Sequence, residues 1–287
     1  MNFLQGNWNK NIYYIIEKIG KGGFGTVYKV LDEGNKERVL KMSKDTSSIT
    51  REYYTMENLK NLDFIPTVYD FDDFQYKGEI YHFIVMDYIP GENLKEVSKK
   101  NKLKIEEVFQ IGYFIVDSLE KIYNIGYRYY DIKLENIILT RKNAVYFVDF
   151  GGVAEKNSHI VEYTPNYNMI SWKKNESGNY FENIIFSTTM VLITMFLRKE
   201  YHPFLFTLED INEKIKNTNL DKEIKKFLQR GLNGKYGSLN EYKSDLKKLS
   251  YHFGGFSKKT DKIDYFFVGS IIFFIFSLLM GKKFCLF

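Results

Sequence analysis

The chain has 287 residues, of which 44% are hydrophobic and 27% charged, and it carries a formal charge of +5. That is length enough for one large domain or two modest ones around a buried core, and the composition excludes wholesale disorder. A lone cysteine, Cys285, excludes a disulfide-stapled secreted domain and a structural zinc site built on cysteine, and the first residues lack the basic stretch and apolar run of a signal peptide.

Residues 12–90 favour strands. The runs at 12–19 (IYYIIEKI), 26–31 (TVYKVL), 38–42 (RVLKM) and 81–89 (YHFIVMDYI) are rich in β-branched and aromatic residues. The first run leads into GKGGFGTV, where Gly20, Gly22 and Gly25 precede Val27. Glycines in a strand-turn-strand let backbone N–H groups approach a phosphate chain, because no Cβ intrudes. The stretch lacks the Lys-Ser/Thr pair of a GxxxxGK[ST] loop, and no helix follows it, which argues against a dinucleotide-binding motif. Lys41 follows the apolar pair Val39-Leu40, and a lysine on a buried strand needs a paired charge. Glu52, eleven residues on, is the candidate partner. It stands in a helical stretch over about 48–62, whose Thr55, Met56, Leu59 and Leu62 fall at helical spacing and hold it to the sheet. Pro90-Gly91 breaks the last strand.

Beyond that break the pattern turns helical, most clearly over 105–124, 181–198 and 221–232, with short strands near 137–139 and 145–148. The fold class read from this order is α+β and two-lobed, with a small antiparallel β-rich lobe over residues 1–90 and a larger helical lobe over 91–253. A cleft between lobes is a common ligand site. Between the first two helices stand YYDIKLENIIL and YFVDFGG. Asp131, Lys133 and Asn136 fall within six residues, and Asp149 lies thirteen past Asn136. Phosphoryl transfer asks little covalent chemistry of a protein. It needs oxygen ligands for divalent metals, a carboxylate to take the acceptor's proton, and cations on the transferring group. Asp149 and Asn136 supply the oxygens, Asp131 the base, and Lys133 a charge near the γ-phosphate.

Between Asp221 and Lys262 there are eleven Lys/Arg against five Asp/Glu, so the formal charge of the chain is concentrated there. Such a surplus suits solvated helix faces, anionic lipid headgroups or, more weakly, nucleic acid. A short basic linker (254–264) leads into residues 265–281, YFFVGSIIFFIFSLLMG, which hold no charge and are bounded by Asp264 and by Lys282-Lys283. As a helix this run is about 25 Å long against a hydrocarbon core of about 30 Å. Snorkelling lysines and local thinning absorb that mismatch. It has no polar stripe, so the expectation is a C-terminal transmembrane helix, a tail anchor that leaves the preceding residues in the cytoplasm.

These motifs stand in the order and near the spacing of the protein kinases, and the chain resembles the eukaryotic-like serine/threonine protein kinases of bacteria. The resemblance implies that Gly20, Gly22 and Gly25 cover ATP, and that Val27 and Val39 line the adenine slot. By the same resemblance Lys41 holds the α- and β-phosphates, oriented by Glu52, while Met86, Asp87, Tyr88 and Ile89 form the hinge. Asp131 is then the catalytic base beside Lys133, and Asn136 and Asp149 hold Mg²⁺ or Mn²⁺. Lysine two residues after the catalytic aspartate resembles the serine/threonine branch, so the implied substrates are ATP and a protein hydroxyl. The WNxNxY opening at Trp8, the VDFGG variant and the apolar tail resemble the tail-anchored kinases of spore-forming Gram-positive bacteria.

The chain also departs from the family. Tyr129-Tyr130 replace the His-Arg before the catalytic aspartate, and that arginine is what pairs with a phosphorylated activation loop. Only eleven residues separate Gly151 from Tyr163. Together these predict a kinase that is not switched by loop phosphorylation, with Ser158 and Thr164 dispensable. Met169-Ile170-Ser171 replace Ala-Pro-Glu, Lys235 replaces the arginine that pairs with that glutamate, and Glu182 is the nearest match to the aspartate opening the central helix. Substrate docking depends on this region, so a small-molecule kinase and a membrane-tethered pseudokinase scaffold are the alternatives. Lys133 and the Lys41–Glu52 pair favour a protein substrate, and the intact set of base, metal ligands and phosphate-holding lysine disfavours the scaffold.

Overall fold

The computed structural model describes residues 3–23, 25–100, 103–158, 162–172 and 179–254. The basic linker beyond Gly254 and the expected transmembrane helix at 265–281 lie outside them. The first lobe is built from β1 (Phe3–Gln5), β2 (Ile12–Gly22), β3 (Gly25–Leu31), β4 (Glu37–Ser43), α1 (Thr46–Leu59), β5 (Val68–Tyr76) and β6 (Glu79–Asp87). Its strands form one antiparallel sheet in the order β1-β2-β3-β4-β6-β5. Phe83 and Val85 of β6 pack with Leu4, Tyr13, Val30, Leu40 and Phe74 on one face. Ile84 and Met86 meet Ile49, Met56 and Leu59 of α1 on the other. Strand β6 is therefore covered on both sides, which is why its sequence reads as a continuous apolar run.

Helix α1 starts two residues before its expected position, because Asp45 caps it by accepting from the backbone N–H groups of Ser47 and Ser48. Strand β5 escapes a propensity reading altogether. Asp70, Asp72 and Asp73 interrupt its apolar alternation, and aspartate is depleted in strands.

Those aspartates explain the WNxNxY segment. Asp72 accepts from the backbone N–H of Trp8 (3.0 Å) and of Asn9 (2.7 Å). Asp70 accepts from the Asn9 amide (2.6 Å), the Asn11 amide (3.0 Å) and the Tyr13 hydroxyl (2.7 Å). The Asn7 N–H reaches the Asp73 carbonyl at 2.7 Å. Strand β5 and the β1–β2 pair sit at opposite ends of the strand order, so this turn closes the sheet on itself and covers its open edges. Asp70 and Asp72 are buried, yet neutral N–H and O–H donors satisfy them without a cation. Burial, with Asp70 beside it, pushes the Tyr13 phenol far up.

The second lobe follows with β7 (Gly91–Asn93), α2 (Leu94–Lys99), α3 (Ile105–Ile125), β8 (Tyr127–Tyr129), β9 (Ile137–Thr140), β10 (Val145–Phe147) and β11 (Val153–Glu155). Helices α4 (Tyr180–Leu197), α5 (Leu208–Lys216), α6 (Lys222–Leu232) and α7 (Leu239–Phe253) complete it. Gly126 ends α3 in the left-handed conformation (φ 113°), turning the chain sharply into β8. Among the described residues α4 is the one helix long and apolar enough to cross a membrane, but it is the buried centre of this lobe. Helices α2, α5 and α7 have no counterpart in the sequence reading. In α7 the signal was present, since Leu239, Tyr242, Leu246 and Leu249 fall at helical spacing between charged residues.

The carboxylate-held turn makes a stability prediction. Asp72→Ala takes this carboxylate from the backbone N–H groups of Trp8, Asn9 and Asp73 and is expected to cost about 1–3 kcal/mol. Trp8→Ala, at an exposed side chain, should stay within about 0.5 kcal/mol. Equal urea midpoints for Asp72→Ala and the unaltered protein would remove the turn's role in closing the sheet.

Candidate active site

The expected site residues converge where the lobes meet. In the β2–β3 hairpin Gly20 faces Val27 and Gly22 faces Gly25 across the ladder. A Cβ on Gly25 would collide with the Met42 carbonyl, so glycine is required there by a close backbone approach. Among the described residues nothing stands within 4 Å of a Cβ placed on Gly22, so that stretch of backbone leaves room for a ligand. Val27 lies half-buried opposite Lys41, and Val39, on the same strand as Lys41, packs against the main core.

Lys41 is buried, and its Nζ sits 2.6 Å from Glu52 Oε2 and 2.9 Å from Asp149 Oδ1. Strand β4, helix α1 and the start of the Asp-Phe-Gly segment therefore meet on one ammonium. The other Glu52 oxygen, Oε1, accepts from the Phe150 N–H at 3.2 Å. Burial alone would pull the Lys41 ammonium down, but Glu52 and Asp149 hold it well above its ordinary value. Burial likewise acts to raise the Asp149 carboxyl, and Lys41 outweighs it, so the group stays below its ordinary value.

The catalytic loop runs from β8 through a 3-10 turn at Leu134–Asn136 into β9. Asp131, 1% exposed, is gripped from three sides. Its Oδ2 accepts from Lys133 Nζ (2.5 Å) and from Asn136 Nδ2 (3.1 Å), and its Oδ1 accepts from the Thr164 hydroxyl (2.6 Å). Attraction to Asp131 outweighs burial and raises the Lys133 ammonium. Asn136 Nδ2 also donates to the Asp131 carbonyl, which leaves Asn136 Oδ1 without a protein partner among the described residues. Asp149 adopts φ 77°, a left-handed conformation that aspartate tolerates better than most residues. Its Oδ1 is shared by Lys41 and the Gly151 N–H, while Oδ2 has no protein partner among the described residues. Two uncommitted hard oxygens beside a cluster of fixed charges fit a magnesium-type cation.

One expectation needs correction, at Thr164, and Asp87 and Tyr180 have partners that no short-range pattern announces. The Asp87 side chain is engaged within the first lobe. Its carboxylate accepts from Arg38 (2.9 Å), the Tyr69 hydroxyl (2.8 Å) and the Thr67 N–H (3.1 Å), so any contact there falls to the hinge backbone. Ile89 lies just past β6 beside Tyr88 and Pro90, lining a cavity of about 930 Å³ that shares no residue with the Lys41–Asp149 cluster. At the head of α4, Tyr180 holds the catalytic loop. The Tyr180 hydroxyl accepts from the Tyr129 N–H (2.7 Å) and donates to the Tyr129 carbonyl (3.3 Å). Finally, Thr164 is not a spare hydroxyl, because it positions Asp131.

The sequence reading also passed over several residues. Tyr129, fully buried, donates its hydroxyl to the Asp149 carbonyl at 2.8 Å and packs against Phe150 with ring centroids 5.9 Å apart. The second glycine of VDFGG has a steric reason: a Cβ on Gly152 would collide with the Asp131 Cβ and stand 3.1 Å from the Glu162 carbonyl. That close approach brings Glu162 into the cleft, its Oε2 2.8 Å from where a Gly151 Cβ would stand. Burial, then the charges of Asp149 and Asp131, push the Glu162 carboxyl up to about 7. The doubled glycine was the only sequence signal for it.

Comparison with known proteins adds an independent line. The profile of the protein kinase domain matches residues 13–251. The chain is 28% identical over 250 residues to the serine/threonine-protein kinase YabT of Bacillus subtilis, covering 85% of this chain and 73% of that protein. It is 29% identical over 171 residues to a probable serine/threonine-protein kinase of Clostridium perfringens, covering 54% of this chain and 23% of that protein. With the human serine/threonine-protein kinase VRK2 it shares 28% identity over 200 residues, 62% of this chain and 38% of that protein.

Glu162 makes the stability of this cleft depend on pH. Its folded value of about 7 lies above its ordinary 4.5, so the folded state binds the proton more tightly. The resulting stabilisation is fully present below pH 4.5 and is lost as pH rises through 7. Thermal midpoints measured between pH 5 and 8 should fall more for the unaltered protein than for Glu162→Gln, and parallel curves would refute this.

Proposed function

The chain belongs to the protein kinase family and is a protein-serine/threonine kinase, and from that premise we propose that it works at the cytoplasmic face of a membrane without a phosphorylated-loop switch. The observation that carries the catalytic reading is the Lys41 ammonium held between Glu52 and Asp149, beside an Asp131 gripped by Lys133, Asn136 and Thr164.

Asn136 and Asp149 are the residues that would hold Mg²⁺ or Mn²⁺, which when bound with ATP supplies charge neutralisation on the phosphates. The other roles belong to the chain itself. Gly22 and its neighbours offer open backbone to the phosphates, and Lys41 gives them a fixed cation. Asp131 orients the acceptor hydroxyl and receives its proton. Lys133 stays charged beside it and stabilises negative charge on the transferring group.

Independence from loop phosphorylation is supported by how the segment is already held. Strand β11 pairs with β8, the Tyr130 N–H donates to the Gly152 carbonyl at 3.0 Å, and Thr164 bonds Asp131. None of these contacts involves a phosphate. Tyr130, in place of the family's arginine, packs edge-on against Tyr180 with centroids 5.6 Å apart and carries no charge to receive one. Membrane attachment is supported by the uncharged run 265–281 between Asp264 and Lys282. The lysine surplus before it suits anionic headgroups.

Two outcomes are expected. With radiolabelled ATP and a generic protein acceptor, label should appear on Ser or Thr, and Asp131→Asn, Asp149→Asn and Lys41→Met should each lower the rate by about 100-fold or more. Undiminished transfer in Asp149→Asn would sink the metal-site assignment. In cell fractionation, the full chain should remain with membranes through alkaline carbonate extraction while residues 1–254 are released. Release of the full chain would end the anchor proposal and leave the kinase reading untouched.

A further inference from the structure

Two adjacent apolar side chains stand almost wholly in water at the tip of the turn that joins α4 to α5. Phe204 is 91% exposed and Leu205 76%. The turn that presents them has a fixed shape. The Leu205 and Phe206 N–H groups donate to the His202 carbonyl at 2.9 and 3.1 Å, and the Phe204 N–H donates to His202 Nδ1 at 3.3 Å. The His202 ring stacks on Phe204 with centroids 5.2 Å apart. At its base, buried Tyr201 meets Phe206 edge to face, also at 5.2 Å, and Phe206 packs against the main core. Local bonding thus holds a phenylalanine and a leucine outward, and a protein surrounded only by water gains nothing from that.

The same end of the helical lobe is where the described chain runs out toward the uncharged run. The last turns of α4 and α7 both pack on the start of α3. Phe109 meets Phe196 at 5.5 Å and Phe253 at 6.4 Å, and a Cβ on Gly254 would stand 3.6 Å from the Glu106 Cβ. Phe204 follows Phe196 by eight residues. Two more exposed apolar side chains mark this end, Ile105 in the first turn of α3 and Tyr251 in the last turn of α7. A tyrosine, apolar in body and polar at its tip, suits a lipid–water boundary. Ten residues separate Gly254 from Tyr265, so even a fully extended chain keeps this end within about 35 Å of the uncharged run.

We propose that Phe204 and Leu205 enter the bilayer that holds the tail, so that the end of the lobe formed by α3, α4 and α7 rests on the lipid surface; the proposal rests on the membrane reading above. Apolar insertion carries this contact, because the nearby charges cancel. Residues 198–216 hold four cations and four carboxylates. Of these, Glu200 is paired with Lys95 at 2.8 Å, while Lys199 and Lys214 lie 5.0 and 5.6 Å from the Phe206 ring centre. Two side chains alone make a weak anchor. A tether makes their insertion intramolecular, and its high effective concentration lets them hold. Helix α4 links this end to Tyr180 and the catalytic loop, so the cleft is held in one orientation above the lipid.

The test uses the full chain in phosphatidylcholine vesicles with brominated acyl chains, which quench nearby tryptophan. Tryptophan is introduced singly as Phe204→Trp, Leu205→Trp and, at an exposed position of the first lobe, Ile80→Trp. Thermal midpoints equal to that of the unaltered protein establish that each variant folds. Sedimentation reports whether the chain stays with the vesicles. The emission added by Phe204→Trp and by Leu205→Trp should fall by about half or more relative to unbrominated lipid, since an inserted side chain lies about 5–10 Å into the headgroup and acyl boundary. The emission added by Ile80→Trp should be unchanged. Sedimenting protein with equal emission in both lipids at Phe204→Trp overturns this proposal and leaves the anchor standing. Blue-shifted emission there that bromine does not quench also overturns it, and marks burial against another protein chain. A full chain left in the supernatant overturns the anchor and this proposal with it.

Discussion

One buried ammonium organises this molecule. Lys41 stands on a central strand of the β lobe, where an unpaired charge is prohibitive, and it is answered by Glu52 from α1 and Asp149 from the helical lobe. Breaking a buried pair by removing one partner typically costs about 3–5 kcal/mol, because the remaining charge has nowhere to go. The helix, the sheet and the Asp-Phe-Gly segment are thus held in a single arrangement. That arrangement is also the one that leaves Asp149 Oδ2 uncommitted for a cation.

Around this centre tyrosines do structural work that charged or imidazole side chains do in the family pattern. Tyr129 ties the Asp149 carbonyl from inside the core, and Tyr180 ties both backbone groups of Tyr129 from the start of α4. Phenols suit this role. Each presents a donor and an acceptor at the tip of an apolar body, so the loop is fixed without another buried charge. Two successive glycines complete the design by letting the returning segment press against Asp131, which Thr164 then positions.

The β lobe has its own closure. A turn near the N-terminus, held by Asp70 and Asp72, joins the two ends of the sheet around a small aromatic and aliphatic core. The same strand carries Asp73, which orients His82 toward Thr46 at the head of α1. Sheet closure and the placement of the Glu52 helix are in this way mechanically continuous.

Local chemistry decided much of this in advance. The glycine turn, the buried Lys41 with Glu52 one helix away, and the Asp131-to-Asp149 spacing are short-range patterns, because residue type and interval alone restrict what they can do. The β-branched and aromatic runs of β2, β3, β4 and β6 were equally legible. Strand β5 was not, since its aspartates obey partners about sixty residues away rather than strand propensity. The partners of Asp87 were out of reach for the same reason, as residue type fixes a position but not the direction in which a side chain turns. Thr164 on Asp131, Tyr180 on Tyr129 and Glu162 in the cleft exist only once distant segments are packed together. Hydrogen bonds and Coulomb attraction depend on separation in space, and that separation is a property of the folded chain.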